Sequence, residues 1–148
     1  MKTLVLFDSI YGNTKIIAET IAGELGENAK ALSVLDFNAK ELEGTGLLVA
    51  GSPINAWKPS ERMGQFLASL DKNQLKGIKA ASFDTRVNIL IHGDAAKKIA
   101  YGLKKAGAQI ITEPNVFFVQ GKEGPLAEGE AEKAADWARS IKALLGNE

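Results

Sequence analysis

The chain has no cysteine among its 148 residues and only one histidine, His92. Disulfides, thiolate catalysis and iron–sulfur ligation are therefore excluded. One imidazole with no carboxylate cluster beside it does not make a metal site either. Net charge is missing as well: 18 basic and 18 acidic side chains cancel, with a pI near 6.6. That balance points away from a nucleic-acid surface and from an acidic tail. No apolar run approaches the roughly 20 residues needed to span a bilayer, so no membrane partner is expected. The first strand-like run starts at Thr3, which leaves no room for a signal peptide, and the expected location is cytoplasmic. Three sequence motifs are also absent: Gly-Lys-Ser/Thr of the triphosphate loop, G-x-G-x-x-G of dinucleotide sites, and the G-x-S-x-G nucleophile elbow. No general base or nucleophile stands out, and no catalytic residue is nominated.

What is present begins at Thr3. Thr3 to Phe7 is the β-branched and apolar run of a strand covered on both faces, and Asp8 ends it. Ser9 to Thr14 then supply hydroxyls, small residues and Gly12 where the chain must turn. From Lys15 the pattern is helical, with Ile16, Ile17, Ile21 and Leu25 assigned to one face. A strand feeding a turn at a helix N-terminus is suited to an anion, because the first helical N–H groups lack partners and the dipole favours negative charge. Lacking a phosphate-binding lysine motif, the turn is a neutral cradle suited to one terminal phosphate monoester. The alternative is an ordinary loop capped by Asn13 or Thr14.

Strand and helix patterns alternate from end to end. A short strand near 30–35 is followed by a polar link over 36–43, then a central strand over 47–50 bracketed by Gly46 and Gly51. A helix over 60–70 turns Met63, Phe66, Leu67 and Leu70 inward, with Ser60 as its cap. The fourth strand is 78–83, followed by a helix over 94–105 with Ile99 and Leu103 inward. The last strand, 108–119, is interrupted at Pro114, which suits an edge. A final helix over 128–145 carries Trp137 on its core face. Alternation without repeats or linkers predicts one domain over 1–148, an α/β fold with a doubly wound parallel sheet. Its ligand would lie beyond the carboxyl ends of the strands. That rule selects Ser9–Thr14, the loop Ser52–Pro59 containing Ser52, Pro53, Ile54, Asn55, Ala56 and Trp57, and a third loop carrying Asp84, Thr85 and Arg86. Trp57 is a flat ring at the mouth of the sheet that can stack on a planar ligand, or alternatively fold back as a plug. Arg86 can reach the ligand or pair with Asp84 or Asp94.

Asp8-Ser9-Ile10-Tyr11-Gly12-Asn13-Thr14 resembles the FMN-phosphate loop of flavodoxins, Ser/Thr-x-Thr/Tyr-Gly-Asn-Thr, with Ser9, Tyr11, Gly12, Asn13 and Thr14 in register. Gly51-Ser52-Pro53-Ile54-Asn55-Ala56-Trp57 is similar to the loop that covers one flavin face in that family. Phe83-Asp84-Thr85-Arg86 and Gly124-Pro125-Leu126 resemble segments of one flavodoxin-like branch. The resemblance covers essentially the whole chain and is to the short-chain group. It implies a five-stranded parallel sheet of order 2-1-3-4-5 and FMN as cofactor, held by the fifteen residues Ser9–Thr14, Ser52–Trp57 and Asp84–Arg86. It also implies electron transfer between redox partner proteins, a reductase and an acceptor, by an expected monomer. The neutral charge departs from the strongly acidic members of the family. Two other functions remain open at the level of sequence. One is an FMN-dependent NAD(P)H:quinone-type reductase, and the other is a flavin-free, receiver-like signalling domain, which would need paired acids where only Asp8 stands.

Overall fold

In the computed structural model, residues 1–55, 57–89 and 93–146 are described. Strand β1 (Lys2–Phe7) runs into helix α1 (Asn13–Leu25), then β2 (Ala29–Ser33). Two single 3-10 turns cross the polar link before β3 (Thr45–Asn55), which hairpins into the two-residue β4 (Lys58–Pro59). Helix α2 (Glu61–Ser69), β5 (Lys79–Val87), α3 (Ala95–Lys105), β6 (Gln109–Ile110), β7 (Asn115–Val119) and α4 (Glu130–Gly146) complete the chain.

The strands form one parallel sheet of order β2-β1-β3-β5-β6, with β7 continuing along β5 beyond β6. The sequence's last strand is thus two pieces, parted around Pro114, which has no N–H to donate. Counting β6 and β7 as that single broken strand, the order is the expected one. β4 alone is antiparallel, pairing Ile54 with Pro59 and Asn55 with Lys58.

Alternation along the strands divides the core in two. Val5, Phe7, Leu47, Val49, Ala81 and Phe83 meet Ile17, Ile21, Trp137 and Ile141 of α1 and α4. Leu4, Leu6, Leu48, Ala50 and Ala80 meet Met63, Phe66, Ile99 and Leu103 of α2 and α3. Phe83, Phe117 and Trp137 form a triangle of edge-on rings, with centroids 5.8 to 6.1 Å apart. Ile16 corrects the expected helix face. It is 48% exposed, because the 100° step between neighbours in a helix turns it away from Ile17 and Ile21.

Two strands are longer than their apolar runs. β3 continues through Ser52 to Asn55, and β5 through Asp84, Thr85 and Arg86 to Val87. The third segment is therefore not a loop, as the sequence suggested, but ladder paired with β3 and β7. Polar residues survive there because each finds a partner within the fold.

Candidate functional site

The carboxyl ends of β1, β3, β5 and β7 enclose a cavity of about 350 Å³, within the usual range for small-molecule sites of roughly 300–1,000 Å³. Ser9, Ile10, Tyr11, Asn13 and Thr14 form one wall, and Pro53, Ile54 and Asn55 a second. Thr85, Arg86 and Val87 form a third, while Val119 and Lys122 close the remaining side.

The first wall is built around the unusual start of α1. Its N-cap is Gly12 at φ 94°, ψ −10°, which supplies no side-chain cap. The alternative of an Asn13 or Thr14 cap is thereby excluded. Left-handed backbone at this point suits glycine. Ser9 reaches back instead: its hydroxyl oxygen accepts from the Gly12 amide at 3.1 Å and the Lys15 amide at 3.3 Å. Among the described residues, the amides of Ile10, Tyr11, Asn13 and Thr14 have no acceptor. Ser9, having accepted twice, still has its own proton to donate. Thr14 and Thr85 share a hydroxyl–hydroxyl bond at 2.8 Å, which occupies one proton and leaves the other free. The donor set is then four backbone amides and two hydroxyls at the positive end of a thirteen-residue helix.

A cation also reaches the cavity. The Asn13 side-chain amide donates to the Glu123 carbonyl at 3.2 Å, tying the 121–124 turn to the start of α1. Gly124 permits the approach, since a Cβ there would lie 2.6 Å from the Asn13 amide atoms. Lys122 comes to the cavity by this route. It was missed in the sequence because it is distant in the chain and sits in no recognisable motif. Val119 was missed because an apolar strand end looks like core, whereas Val87 opens the apolar run 87–91, whose sequence is compatible with facing the ligand, facing a partner or packing under the next helix.

The strand alternation in β5 sorts the three polar residues nominated there. Thr85 faces α1 and meets Thr14. Asp84 and Arg86 face α3, both buried. The Arg86 guanidinium donates to the Asp84 carboxylate at 2.8 and 2.5 Å, and lies 3.5 Å from Asp94. Asp84 also accepts the Ala96 amide at 2.8 Å, in the first turn of α3. The hydrogen bond to Asp84 raises the Arg86 pKa above its already high ordinary value, with burial opposing. Arg86 therefore pairs with both acids weighed for it and also lines the cavity, whereas Asp84 does not line it.

Ser52 is fully buried and points elsewhere: its oxygen accepts the Ser60 amide at 3.3 Å and its hydroxyl donates to the Pro53 carbonyl at 3.0 Å. Gly12 shapes the turn without lining the cavity. Trp57 sits on the β3–β4 turn at φ 73°, 52% exposed, next to the cavity wall but outside it. Its ring is thus neither buried as a plug nor on the cavity wall. Ala56 and His92 lie outside the described residues, as do Leu90 and Ile91 of the apolar segment after β5.

A parallel doubly wound sheet with a donor-rich turn at its first strand–helix junction defines an α/β protein with an anion-binding cradle at the switch point between β1 and β3. A sequence model of the flavodoxin family, described as "Flavodoxin", matches residues 5–137, and the chain belongs to that family. Flavodoxin 2 from Bacillus cereus has the same fold at TM-score 0.82 and 21% identity, with 97% of this chain and 99% of that one covered. An archaeal flavodoxin is similar at TM-score 0.78, 20% identity and 97% of each chain. The rubredoxin oxygen:oxidoreductase of Desulfovibrio gigas matches at TM-score 0.76 and 18% identity, over 98% of this chain but 36% of that one. Comparison with curated protein sequences returned no match.

FMN is the cofactor of the family and of this chain. The residues present fit it. Unpartnered amides and free hydroxyl protons at a helix N-terminus match a phosphate dianion, and they open onto the cavity of about 350 Å³. Among the described residues no helix is long and apolar enough to cross a membrane.

Proposed function

We propose that this protein is an electron carrier whose FMN is held by Ser9, Ile10, Tyr11, Asn13, Thr14, Pro53, Ile54, Asn55, Trp57, Thr85 and Arg86 together with Lys122, Val87 and Val119. The observation that carries the reading is the set of four acceptor-free amides at the start of α1, reinforced by the Ser9 and Thr14–Thr85 hydroxyls. The phosphate is held at that end by Ser9, Thr14 and the amides between them, with Lys122 as its counter-charge. Pro53 to Asn55 bound one side of the ring, and Thr85 to Val87 the other. Trp57, on its exposed turn, stacks at the ring's outer face and restricts water there.

FMN supplies the redox chemistry, accepting and releasing one or two electrons. The chain's contribution is position, water exclusion and fixed charge. Ser52, Asp84 and Gly12 act indirectly: Ser52 fixes the β3–β4 turn, Asp84 holds Arg86 and α3 in place, and Gly12 gives the loop its bend.

The test begins with flavin content of the purified protein and reconstitution of the flavin-free protein with FMN. Reduced protein is then mixed with a one-electron acceptor in stopped flow, and separately the oxidised protein with NADH or NADPH. A carrier passes electrons rapidly to the acceptor and leaves NAD(P)H unoxidised. Steady turnover of NAD(P)H with a quinone would overturn the carrier reading in favour of a reductase.

A further inference from the structure

On the opposite helical layer from α1 and α4, the C-terminal half of α2 and the length of α3 border a groove of about 620 Å³. Leu67, Leu70 and Ala106 line it, with Tyr101 at 66% exposure. Its rim is entirely cationic: Lys72, Lys98 and Lys105. Lys76 and Lys104 lie on the neighbouring exposed surface. From Ala95 to Thr112 the chain carries four lysines and no acid, and from Lys72 to Lys79 three more lysines and no acid. Among the described residues, Lys72, Lys76, Lys98, Lys104 and Lys105 form no ion pair. Lys105 lies 5.9 Å from the Tyr101 ring centre, and Lys98 donates to the Trp57 carbonyl at 3.0 Å. One end of the groove therefore touches the turn beside the cofactor cavity.

We infer that this groove is the docking surface for an acidic protein, the redox partner that the carrier reading requires. An apolar floor with an exposed aromatic and a charged rim is the anatomy of a protein–protein patch. Five unneutralised lysines select an acidic counterpart and steer its approach. A single-stranded nucleic acid is the less fitting occupant, since only one aromatic is available for base stacking where such sites use several. Continuity through Lys98 to Trp57 places one edge of a bound partner at the mouth of the flavin site. The inference rests on the proposed carrier function for its consequence, and on the charge pattern for the surface itself.

The experiment uses the full-length, FMN-loaded protein with two haem proteins as probes: cytochrome b5, acidic around its haem edge, and cytochrome c, basic there. In each reaction the reduced flavin gives one electron to a ferric haem. The rate with cytochrome b5 is expected to fall about tenfold between low and physiological salt, and that with cytochrome c to stay flat or rise. Lys72→Glu/Lys105→Glu should lower the low-salt rate with cytochrome b5 about tenfold, leaving the rate with neutral benzoquinone unchanged. Lys142→Glu, on α4, should alter neither. Carbodiimide cross-linking to cytochrome b5, mapped by mass spectrometry, should join through Lys72, Lys98 or Lys105. This readout requires no electron transfer, so it separates failure of the surface from failure of the carrier function. Cross-links elsewhere, or a double variant as fast and as salt-sensitive as wild type, would overturn the assignment. Lysine-dependent binding of a single-stranded oligothymidylate at physiological salt would overturn it in favour of nucleic acid.

Discussion

Thr14 serves two purposes with one hydroxyl. Buried at 2% exposure, it bonds Thr85 across the layer between α1 and β5, and it stands in the wall of the phosphate cradle. Replacing it by valine removes a phosphate donor and leaves Thr85 with an unmatched hydroxyl. FMN affinity of Thr14→Val should fall by about tenfold, the equivalent of ~1.4 kcal/mol. Riboflavin, without the phosphate, should bind wild type and variant equally in a fluorescence titration. Equal loss for both ligands would place the effect on folding instead. Lys122→Gln tests the charge at the same end. It should weaken FMN about fivefold at low ionic strength, with the difference vanishing at high salt, because an exposed cation acts through screened attraction. The loop from Ser9 to Thr14 was legible residue by residue because its hydroxyls, glycine and spacing state the chemistry directly. Lys122 was not. Its place depends on Asn13 holding the Glu123 carbonyl, a contact made across 110 residues of sequence.

At the scale of elements, the boundaries that carry local signals were read well. Ser60 caps α2 by accepting the Met63 amide at 3.3 Å, and Asp94 caps α3 by accepting the Lys97 amide at 3.0 Å. What the sequence concealed was the far end of β5. Asp84-Thr85-Arg86 looks like a polar loop, since three polar residues in a row seldom lie inside a sheet. Here tertiary contacts override that expectation: each residue is buried and matched, Asp84 by Arg86 and the Ala96 amide, Thr85 by Thr14. Once the segment is a strand, alternation dictates which layer each side chain enters. Arg86→Leu would leave the Asp84 carboxylate buried without its counter-charge, and should destabilise the flavin-free protein by about 3–5 kcal/mol in urea unfolding. A loss below about 1 kcal/mol, typical of exposed pairs, would show that water reaches the site. β3 offers a second check. A Cβ at Gly51 would come within 2.2 Å of the Phe83 ring, in the core layer shared with Trp137. Gly51→Ala should therefore be destabilising by about 1–3 kcal/mol through overpacking, read as a lower urea midpoint with unchanged slope.

At the scale of the whole molecule, the zero net charge conceals a division. Among the described residues, Lys72, Lys76, Lys98, Lys104 and Lys105 stand without ion pairs beside the α2–α3 groove, while on the other layer α4 mixes Glu130, Glu132 and Asp136 with Lys133, Arg139 and Lys142. Composition cannot reveal such a division, which exists only once the sheet separates the helices. The cofactor site has the same dependence on the complete fold, because its walls come from the ends of four strands: β1, β3, β5 and β7. FMN should bind the folded chain alone and stabilise it as a unit. At a free concentration one hundred times its dissociation constant, the expected gain is about 2.7 kcal/mol. For a chain of this length that corresponds to a rise in Tm of roughly 5–10 °C. Asn13→Ala would release the Glu123 carbonyl, and with it the turn that brings Lys122 to the cavity. It should reduce the FMN-induced rise at a fixed, sub-saturating FMN concentration while leaving the Tm of the flavin-free protein within a few degrees of wild type, since the lost bond is exposed. Calorimetric scans of both proteins, with and without FMN, check this. An identical FMN-induced rise in Asn13→Ala would show that the 121–124 turn plays no part in holding the cofactor, and would remove Lys122 from the proposed site.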